Sequence, residues 1–417
     1  MRVLIAGAGL GGLCLAQGLR RAGIEAVVLE RRGHSGEQPA TYGIHLNTDG
    51  MRALHGCLPD RAWQRLVESS VPAPDRITFH DQDLGVLAVR DNEAHGAVDA
   101  DLRRRAVARD ALREALLVGL PADAVLWNTE VTGYRRTPDG VRVTCAGGKV
   151  FEGDLLVAAD GSNSRLRAVR LPGLEREDLG IVNVSGRVTL TEPLMAGIPA
   201  GLTDGSVNNV VPAGPGWMFL STWDAPAAGR HLVWAWAESR RTYPADPAAM
   251  DRTALRDHVA GRTAHWAAVL NRLVTATEPD TIAAIPLRTM PALGPWEPSP
   301  VTLLGDAIHN MTPMAGIGAN TALRDADELR RALLGPGPLL ARVGRYESAM
   351  RDYANAALAL STRNARAAAA TKRLPRTAFR TLLRVAEAVP MVKRRIFPAP
   401  HPSPTTRTDG RPNTDSP

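Results

Sequence analysis

Residues 2 to 6 (RVLIA) form a short, continuous apolar run that meets Gly7 at once. This is the pattern of a strand buried on both faces and entering a tight turn. From Leu10 to Arg21 apolar residues recur at helical spacing and stop at Gly23, a natural C-terminal cap. A second apolar run, Ala26 to Leu29, ends on Glu30. Strand, glycine turn, helix and strand predict one βαβ unit. Similar buried strands are predicted at Leu155 to Ala159, ending on Asp160 and Gly161, and at Val301 to Leu304, ending on Gly305 and Asp306. Leu102 to Leu117 and about Ile317 to Leu334 read as helices.

The period changes between about Arg76 and Val98 and again between about Gly180 and Ser239, where short runs are rich in Val, Thr, Phe and Trp. Ile181 to Leu190, Trp217 to Trp223 and Leu232 to Ala237 are expected to be strands of a largely antiparallel sheet. The expectation is therefore an α/β chain whose cofactor domain is discontinuous (residues 1–75, 98–178 and 285–365), with a substrate domain (76–97 and 179–284) threaded through it. Basic helices (366–397), punctuated by Pro375 and Pro390, follow. A tail (398–417) with six prolines and almost nothing apolar is expected to be disordered.

Composition narrows the classes. The chain has 417 residues, 38 of them Gly and 31 Pro without a fixed period, which excludes collagen and wholesale disorder. No apolar run reaches the ~18 residues of a membrane span, and the first strand starts at Arg2, so a cytoplasmic protein is expected. Cys14, Cys57 and Cys145 are isolated, arguing against a disulfide framework or a metal site. The net charge of +7 sits entirely between Lys372 and Phe397, where eight basic residues face only Glu387. That confinement argues against nucleic acid as a partner. Phe379, Leu382, Leu383 and Ala386 follow helical spacing there, so this helix either docks on the body or makes weak peripheral contact with an anionic membrane.

The chemistry starts with Gly7-Ala8-Gly9-Leu10-Gly11-Gly12 between the first strand and helix, with Glu30 at the end of the second strand. Gly7 permits the turn, Gly9 lets backbone approach a pyrophosphate at the helix N-terminus, and Gly12 lets helix and strand pack closely. Glu30 can accept hydrogen bonds from a ribose diol, so the site suits FAD or NAD and disfavours a 2′-phosphate. A second glycine-rich turn, Gly316-Ile317-Gly318-Ala319-Asn320, opens a helix after Asp306 and Pro313. Asp306 can bind a polyol hydroxyl, and a helix start of this kind presents free N–H groups to a developing anion.

These two segments, together with Asp154 to Arg165 (DLLVAADGSNSR), resemble the single-component FAD-dependent monooxygenases, the aromatic-hydroxylase group that includes salicylate and para-hydroxybenzoate hydroxylases. The motifs lie in the family's order over residues 1 to 365. The resemblance implies a Rossmann-type FAD-binding domain with an inserted, largely antiparallel substrate sheet and a C-terminal helical segment. It implies non-covalent FAD, with NAD(P)H as a transient electron donor and O₂ as co-substrate. Glu30, Arg31, Gly43 and Arg109 would touch FAD, Asp306 its ribityl or pyrophosphate portion, and Ala319 with its neighbours the flavin ring. Pro313 would lie against that ring, and Asp160 would sit in the motif tied to both FAD and NAD(P)H use. No second glycine fingerprint exists for the nicotinamide, which fits transient binding. Many relatives carry an arginine at the end of the strand corresponding to Gly186 to Thr191, where it holds a phenolate. Thr191 takes that place here, although Arg187 is near, so a simple anionic phenol is disfavoured.

His45, in the segment Gly43-Ile44-His45-Leu46-Asn47, is the one titratable side chain of the stretch that borders the flavin in relatives. It is a candidate general base or substrate partner, or else a structural histidine. Trp217, Phe219, Trp234 and Trp236 are candidates for an apolar substrate wall, or for core packing. The favoured function is a monooxygenase that hydroxylates or epoxidises a bulky apolar or aromatic small molecule, such as a natural-product tailoring step. A flavin-dependent reductase or dehydrogenase on the same fold is the alternative. A basic membrane- or nucleic-acid-binding protein with structural FAD is the non-enzyme rival.

Overall fold

The computed structural model describes residues 1–34, 43–91, 100–225, 229–371 and 373–397. A five-stranded, wholly parallel sheet runs in the order β18 (Val301–Leu303), β12 (Leu155–Ala158), β1 (Arg2–Ala6), β2 (Glu25–Leu29), β8 (Val125–Leu126). Its central strands are buried on both faces, which is why they read as continuous apolar runs rather than alternating ones. Helices α1 (Leu10–Arg21), α2 (Thr48–Cys57), α10 (Gly318–Leu334) and α11 (Leu339–Ala369) pack around this sheet and enclose the largest apolar core.

A seven-stranded sheet takes the order β17 (Ala283–Thr289), β13 (Glu177–Thr189), β16 (Gly229–Ser239), β15 (Trp217–Ala225), β14 (Val207–Val210), β5 (Arg76–His80), β6 (Val86–Asp91). It is antiparallel except where β14 runs beside β5. Its outer face carries Met218, Leu220, Trp234 and Trp236, which pack with Leu255 and Val259 of α7 (Arg252–Thr263) and with Leu270 and Leu273 of α8 (Ala268–Thr275). Its inner face meets α11 through Ala365 and Ala368, and Trp223 and Val233 meet Ala73 and Ala106.

Two three-stranded sheets complete the β structure: β11 (Val150–Gly153), β10 (Gly140–Cys145), β9 (Val131–Thr137), and β3 (Ile44–Leu46), β7 (Arg105–Val107), β4 (Ser70–Pro72). The second corrects the expectation of one helix from Leu102 to Leu117. Only α4 (Arg109–Leu117) is helical, after the strand β7. The three arginines before it do not continue an apolar helical face. Arg105 instead donates to the Val67 and Ser70 carbonyls at 2.8 Å, tying β7 to the end of α3 (Asp60–Glu68) and to β4. Short helices α5 (Arg165–Arg170), α6 (Glu192–Met195) and α9 (Asp306–His309) cap strand ends.

The basic C-terminal segment forms α12 (Arg373–Ala388) and α13 (Pro390–Ile396). One face of α12 docks on the body: Leu383 and Ala386 are buried, and the Phe379 ring lies 6.0 Å from Trp217. Arg376 donates to the carbonyls of Gly216, Ala367, Ala368 and Ala370. Burial pushes the Arg376 guanidinium down to about 10, which leaves it charged at neutral pH. The tail from 398, expected to be disordered, lies outside the described residues. All three cysteines are buried and free, and no helix of the described residues is long and apolar enough to cross a membrane.

Candidate active site

Because the five strands are parallel, their carboxyl ends share one edge of the sheet. Along it stand Asp306 after β18, Asp160 after β12, the Gly7–Gly12 turn after β1, and Glu30 after β2. Strands are about 4.8 Å apart, so this row covers roughly 14 Å. The chain leaves β1 for β2 on one side and reaches β12 on the other, so a crevice opens where the winding reverses, the general ligand position of such sheets.

Gly7 has φ +111°, and a Cβ there would collide with the Ala159 carbonyl. A Cβ at Gly12 would overlap the Gly7 carbonyl oxygen. Gly9 differs: a Cβ would meet nothing within 4 Å, and it caps α1 without a side-chain bond or an acid in the first turn. Leu10 and Gly11 continue into the buried helix. The helix thus offers its first N–H groups to an anion from outside, as a diphosphate requires. Glu30 Oε2 accepts the Ala8 N–H at 2.7 Å and Oε1 the Arg32 N–H at 2.9 Å. These bonds hold the carboxylate at the turn while leaving lone pairs for a sugar diol. Arg31 and Arg109 are exposed at the end of β2 and the start of α4.

Burial raises the proton affinity of Asp160, although the Ser164 hydroxyl and the Leu166 and Arg165 amides oppose this. Asp306 is exposed at the first residue of α9. The turn that aims it is built by Asp325, a fully buried carboxylate that sequence reasoning missed. Asp325 accepts the Gly305 N–H at 2.7 Å, His309 Nε2 at 2.6 Å and the Tyr353 hydroxyl at 2.6 Å. Burial alone would lower the His309 pKa, but the Asp325 carboxylate holds it above the usual range. The available signal was an acid at a core position of an amphipathic helix.

Helix α10 starts without a side-chain cap at Ile317, and its first internal bond joins the Thr321 N–H to the Ile317 carbonyl at 2.9 Å. The amides of Gly318, Ala319 and Asn320 therefore belong to the open N-terminal turn, beside the exposed Pro313 and Gly316. The Asn320 side chain is fully used elsewhere. Its Oδ1 accepts the Asn47 N–H and its Nδ2 donates to the His45 carbonyl, both at 2.9 Å. It clamps β3 to α10, so its amide is a positioning group, and its backbone N–H lies in the open turn.

That clamp places His45. Nε2 lies 3.1 Å from Ser221 Oγ on β15, and Ser221 Oγ donates to the Ser206 carbonyl at 3.2 Å. The arrangement in which Ser221 donates to Ser206 leaves the imidazole proton on Nε2 and a lone pair on Nδ1, and the one in which Ser221 donates to Nε2 reverses the two. Nδ1 is buried and has no partner among the described residues. Burial, reinforced by Arg104, holds the imidazole well below its ordinary pKa, hence neutral. The Trp223 ring lies 4.4 Å from His45, and Gly43 must be glycine because a Cβ would enter that ring. Trp223 Nε1 is likewise buried without a partner among the described residues. Arg104 is itself paired with Asp75 at 3.3 Å.

The aromatic set divides. Trp217 and Phe219 share the inner face with Ser221 and Trp223, by the two-residue period of β15. Trp234 and Trp236 pair across from Leu220 and Met218 and point to the outer face, where they are 0% and 1% exposed. They pack under α7 and α8, so they are core and not a wall shared with Trp217. Trp223, Ser221 and His231 were missed, although alternation along β15 and β16 puts all three on the inner face. Arg187 is 3.8 Å from Glu278, and Thr191 lines a separate cleft of about 420 Å³ with Arg272 and Glu278. Among the described residues no group of His, Cys, Asp or Glu could hold a metal ion.

Comparison with known proteins fits this geometry. Residues 1–336 match the family model described as FAD binding domain. The chain is 30% identical over 329 residues to the FAD-dependent urate hydroxylase of Klebsiella oxytoca, covering 78% of this chain and 79% of that protein. It is 29% identical over 389 residues to the dual O-methyltransferase/FAD-dependent monooxygenase CTB3 of Cercospora beticola, covering 84% of this chain but spanning only 44% of that longer protein. A solved structure from Photorhabdus luminescens subsp. laumondii, assigned as an FAD containing monooxygenase, superposes with a TM-score of 0.81 at 38% identity over 88% of this chain and 98% of that one. Klebsiella pneumoniae HpxO, complexed with FAD and uric acid, gives 0.76 at 25% identity over 94% and 95%. With residues 1–336 matched by that model, and relatives that are FAD-dependent monooxygenases, the protein belongs to the FAD-binding-domain family.

Proposed function

We propose that this enzyme hydroxylates or epoxidises a bulky, neutral aromatic small molecule that carries an O–H or N–H group, with NAD(P)H as transient electron donor and O₂ as oxygen source. When bound, FAD supplies the redox chemistry that activates oxygen. The glycine turn and Glu30 would hold the adenosine diphosphate end, with Arg31 and Arg109 at its rim. Asp306 would hold the ribityl or pyrophosphate part, and Asp160 the region shared with the nicotinamide donor. Gly43, Pro313, Gly316, Gly318 and Ala319 would surround the ring, and the open start of α10 would favour its charged, reduced form. In this reading residues 1–75, 98–178 and 285–365 bind the cofactor, while 76–97 and 179–284 receive the substrate, β17 straddling the border.

The observation that carries the substrate class is the buried, unpartnered Nδ1 of a neutral His45, read in the tautomer whose proton is on Nε2. A neutral imidazole fixed by Ser221 accepts a hydrogen bond from a substrate hydroxyl or amine and can take its proton as electron density moves into the ring. The inner face around Phe219 and Trp223, backed by Trp217 under the C-terminal helix, would flank the apolar remainder and exclude water. Arg104 repels a second cation and is already neutralised by Asp75, so no free cation among these residues awaits an anionic phenol.

The test is substrate-dependent NAD(P)H oxidation over phenols, hydroxylated polycycles and their O-methyl ethers. The free hydroxyl compounds are expected to turn over and the ethers to fail. Equal turnover of both would remove His45 as a recognition group. In ¹⁸O₂ one heavy atom is expected in the product, and product oxygen drawn only from water would overturn the use of O₂.

A further inference from the structure

We infer that the outward face of the C-terminal helices is a docking surface for an anionic lipid bilayer. Among the described residues twelve large apolar side chains are exposed, and four of them fall within ten consecutive positions: Leu382, Val385, Val389 and Met391. Leu382 is 45% exposed and Met391 81%. Docking on the body uses the neighbouring strip of α12, through Phe379, Leu383 and Ala386, and Leu382 and Val385 extend the apolar arc beyond it into solvent. At 100° per residue, Leu382 and Val385 lie well over 100° from Arg380 and about 160° or less from Arg384. The helix therefore shows one broad apolar arc, docked along one edge and exposed along the other, with Arg376, Arg380 and Arg384 on the remaining side. A shallow groove of about 510 Å³, lined by Thr377, Ala378, Thr381, Leu382 and Val385, runs along the exposed edge.

Charge identifies the occupant. Arg380 and Arg384 share Asp81, at 3.5 and 3.4 Å, and Lys393 is paired with Glu387 at 2.9 Å. Arg394 and Arg395 are exposed and carry no ion pair among the described residues. An apolar ridge continuous with uncompensated arginines matches the boundary between acyl chains and acidic headgroups, where apolar side chains enter and arginines stay among phosphates. A second copy of the chain would bring the same arginines face to face. Phe397 stacks on Phe79 at 5.9 Å, and this anchors α13 to the substrate sheet, so a bilayer gripping these helices would lie against that sheet. The inference does not depend on which molecule the enzyme oxidises.

The experiment is co-sedimentation of the full-length holoprotein with vesicles of phosphatidylglycerol and phosphatidylcholine, or of phosphatidylcholine alone, at low and high salt. Binding is expected only to the acidic vesicles and is expected to weaken with salt. Each basic residue at an acidic surface contributes roughly fivefold. R394E/R395E should therefore weaken binding by at least roughly 25-fold, and V389D/M391D should abolish it at unchanged flavin content and melting temperature. No binding to acidic vesicles, equal binding to neutral ones, or retention by V389D/M391D would overturn the inference. So would a concentration-dependent dimer in sedimentation that V389D/M391D dissolves, which would assign the ridge to a second copy.

Discussion

The clamp between α10 and β3 lends itself to a controlled test with Asn320→Ala. The side chain is buried and makes two 2.9 Å bonds to main chain, one accepted from the Asn47 N–H and one donated to the His45 carbonyl. Removing both leaves two main-chain groups without partners, each costing about 1–3 kcal/mol. Both bonds are only partly buried, so a total of about 2–4 kcal/mol is expected. Unfolding entropy is about 2.1 cal/mol/K per residue, or roughly 0.9 kcal/mol/K for a single cooperative transition of this chain, so the melting temperature should fall by about 2–5 °C. Stability alone would not prove a role in the site, but the fold supplies a matched control. Asn355 makes the same bidentate bridge to Leu293, accepting its N–H at 2.7 Å and donating to its carbonyl at 3.1 Å, remote from β3. Asn355→Ala should lower the melting temperature similarly and leave catalysis alone. Asn320→Ala should in addition raise KM and increase the hydrogen peroxide released per NAD(P)H oxidised, because His45 and the flavin-side strand lose their register. If the two variants show the same coupling between NAD(P)H oxidation and product, the positioning argument is wrong.

Glu30→Ala strips the Ala8 and Arg32 amides of a charged acceptor and removes the sugar partner, so FAD retention should drop by about 1.5–3 kcal/mol, roughly 10- to 150-fold in Kd. Flavin release after dilution measures it, and unchanged retention would count against the assignment. Burial and Arg104 depress the His45 pKa, so the folded protein releases this proton below pH 6.5 and the unfolded chain near 6.5. The stability linked to this group is complete above 6.5 and is lost as pH falls toward the folded value. The acid limb of kcat/KM should therefore lie below pH 6.5, and His45→Gln should abolish it; a limb that survives belongs to another group. Trp236→Phe should lower stability by about 0.5–3 kcal/mol with KM unchanged, whereas Trp223→Phe should raise KM, and the reverse pattern would contradict the division of the sheet into two faces.

The parts of the fold that were legible in the sequence are those where a single physical demand dominates the local pattern. β1, β2, β12 and β18 are buried on both sides and their runs are unbroken, so their ends, and with them Glu30, Asp160 and Asp306, could be placed without a structure. The Gly7–Gly12 turn was readable because crowding against backbone excludes a Cβ at Gly7 and Gly12, which fixes the spacing of the motif. Asp325 and Asn320 resisted, because their roles depend on partners 16 to 275 positions away, and a polar residue in a helix looks alike whether it faces water or a strand. The aromatic strands were half legible. Alternation grouped Trp217 with Phe219 and Trp234 with Trp236, but only the pairing register shows that the two groups point in opposite directions. Residues 103–107 were misread because a run of arginines has no apolar period at all, and their extended form follows from the strands they join.

The two faces of β15 and β16 make this sheet a partition between two kinds of selection. Under the proposed function, positions 219, 221 and 223 answer to the substrate and position 217 to the C-terminal helix packed on it, while their neighbours at 218 and 220, with 234 and 236 on the next strand, answer to α7 and α8. Because side chains alternate strictly along a strand, the two sets interleave in the gene yet never share a neighbour across the sheet. A library that varies 219 and 223 while keeping Trp217 and Ser221 should therefore explore new substrates at little cost to the fold, and one that varies only the outer positions should recover lost stability without retuning chemistry.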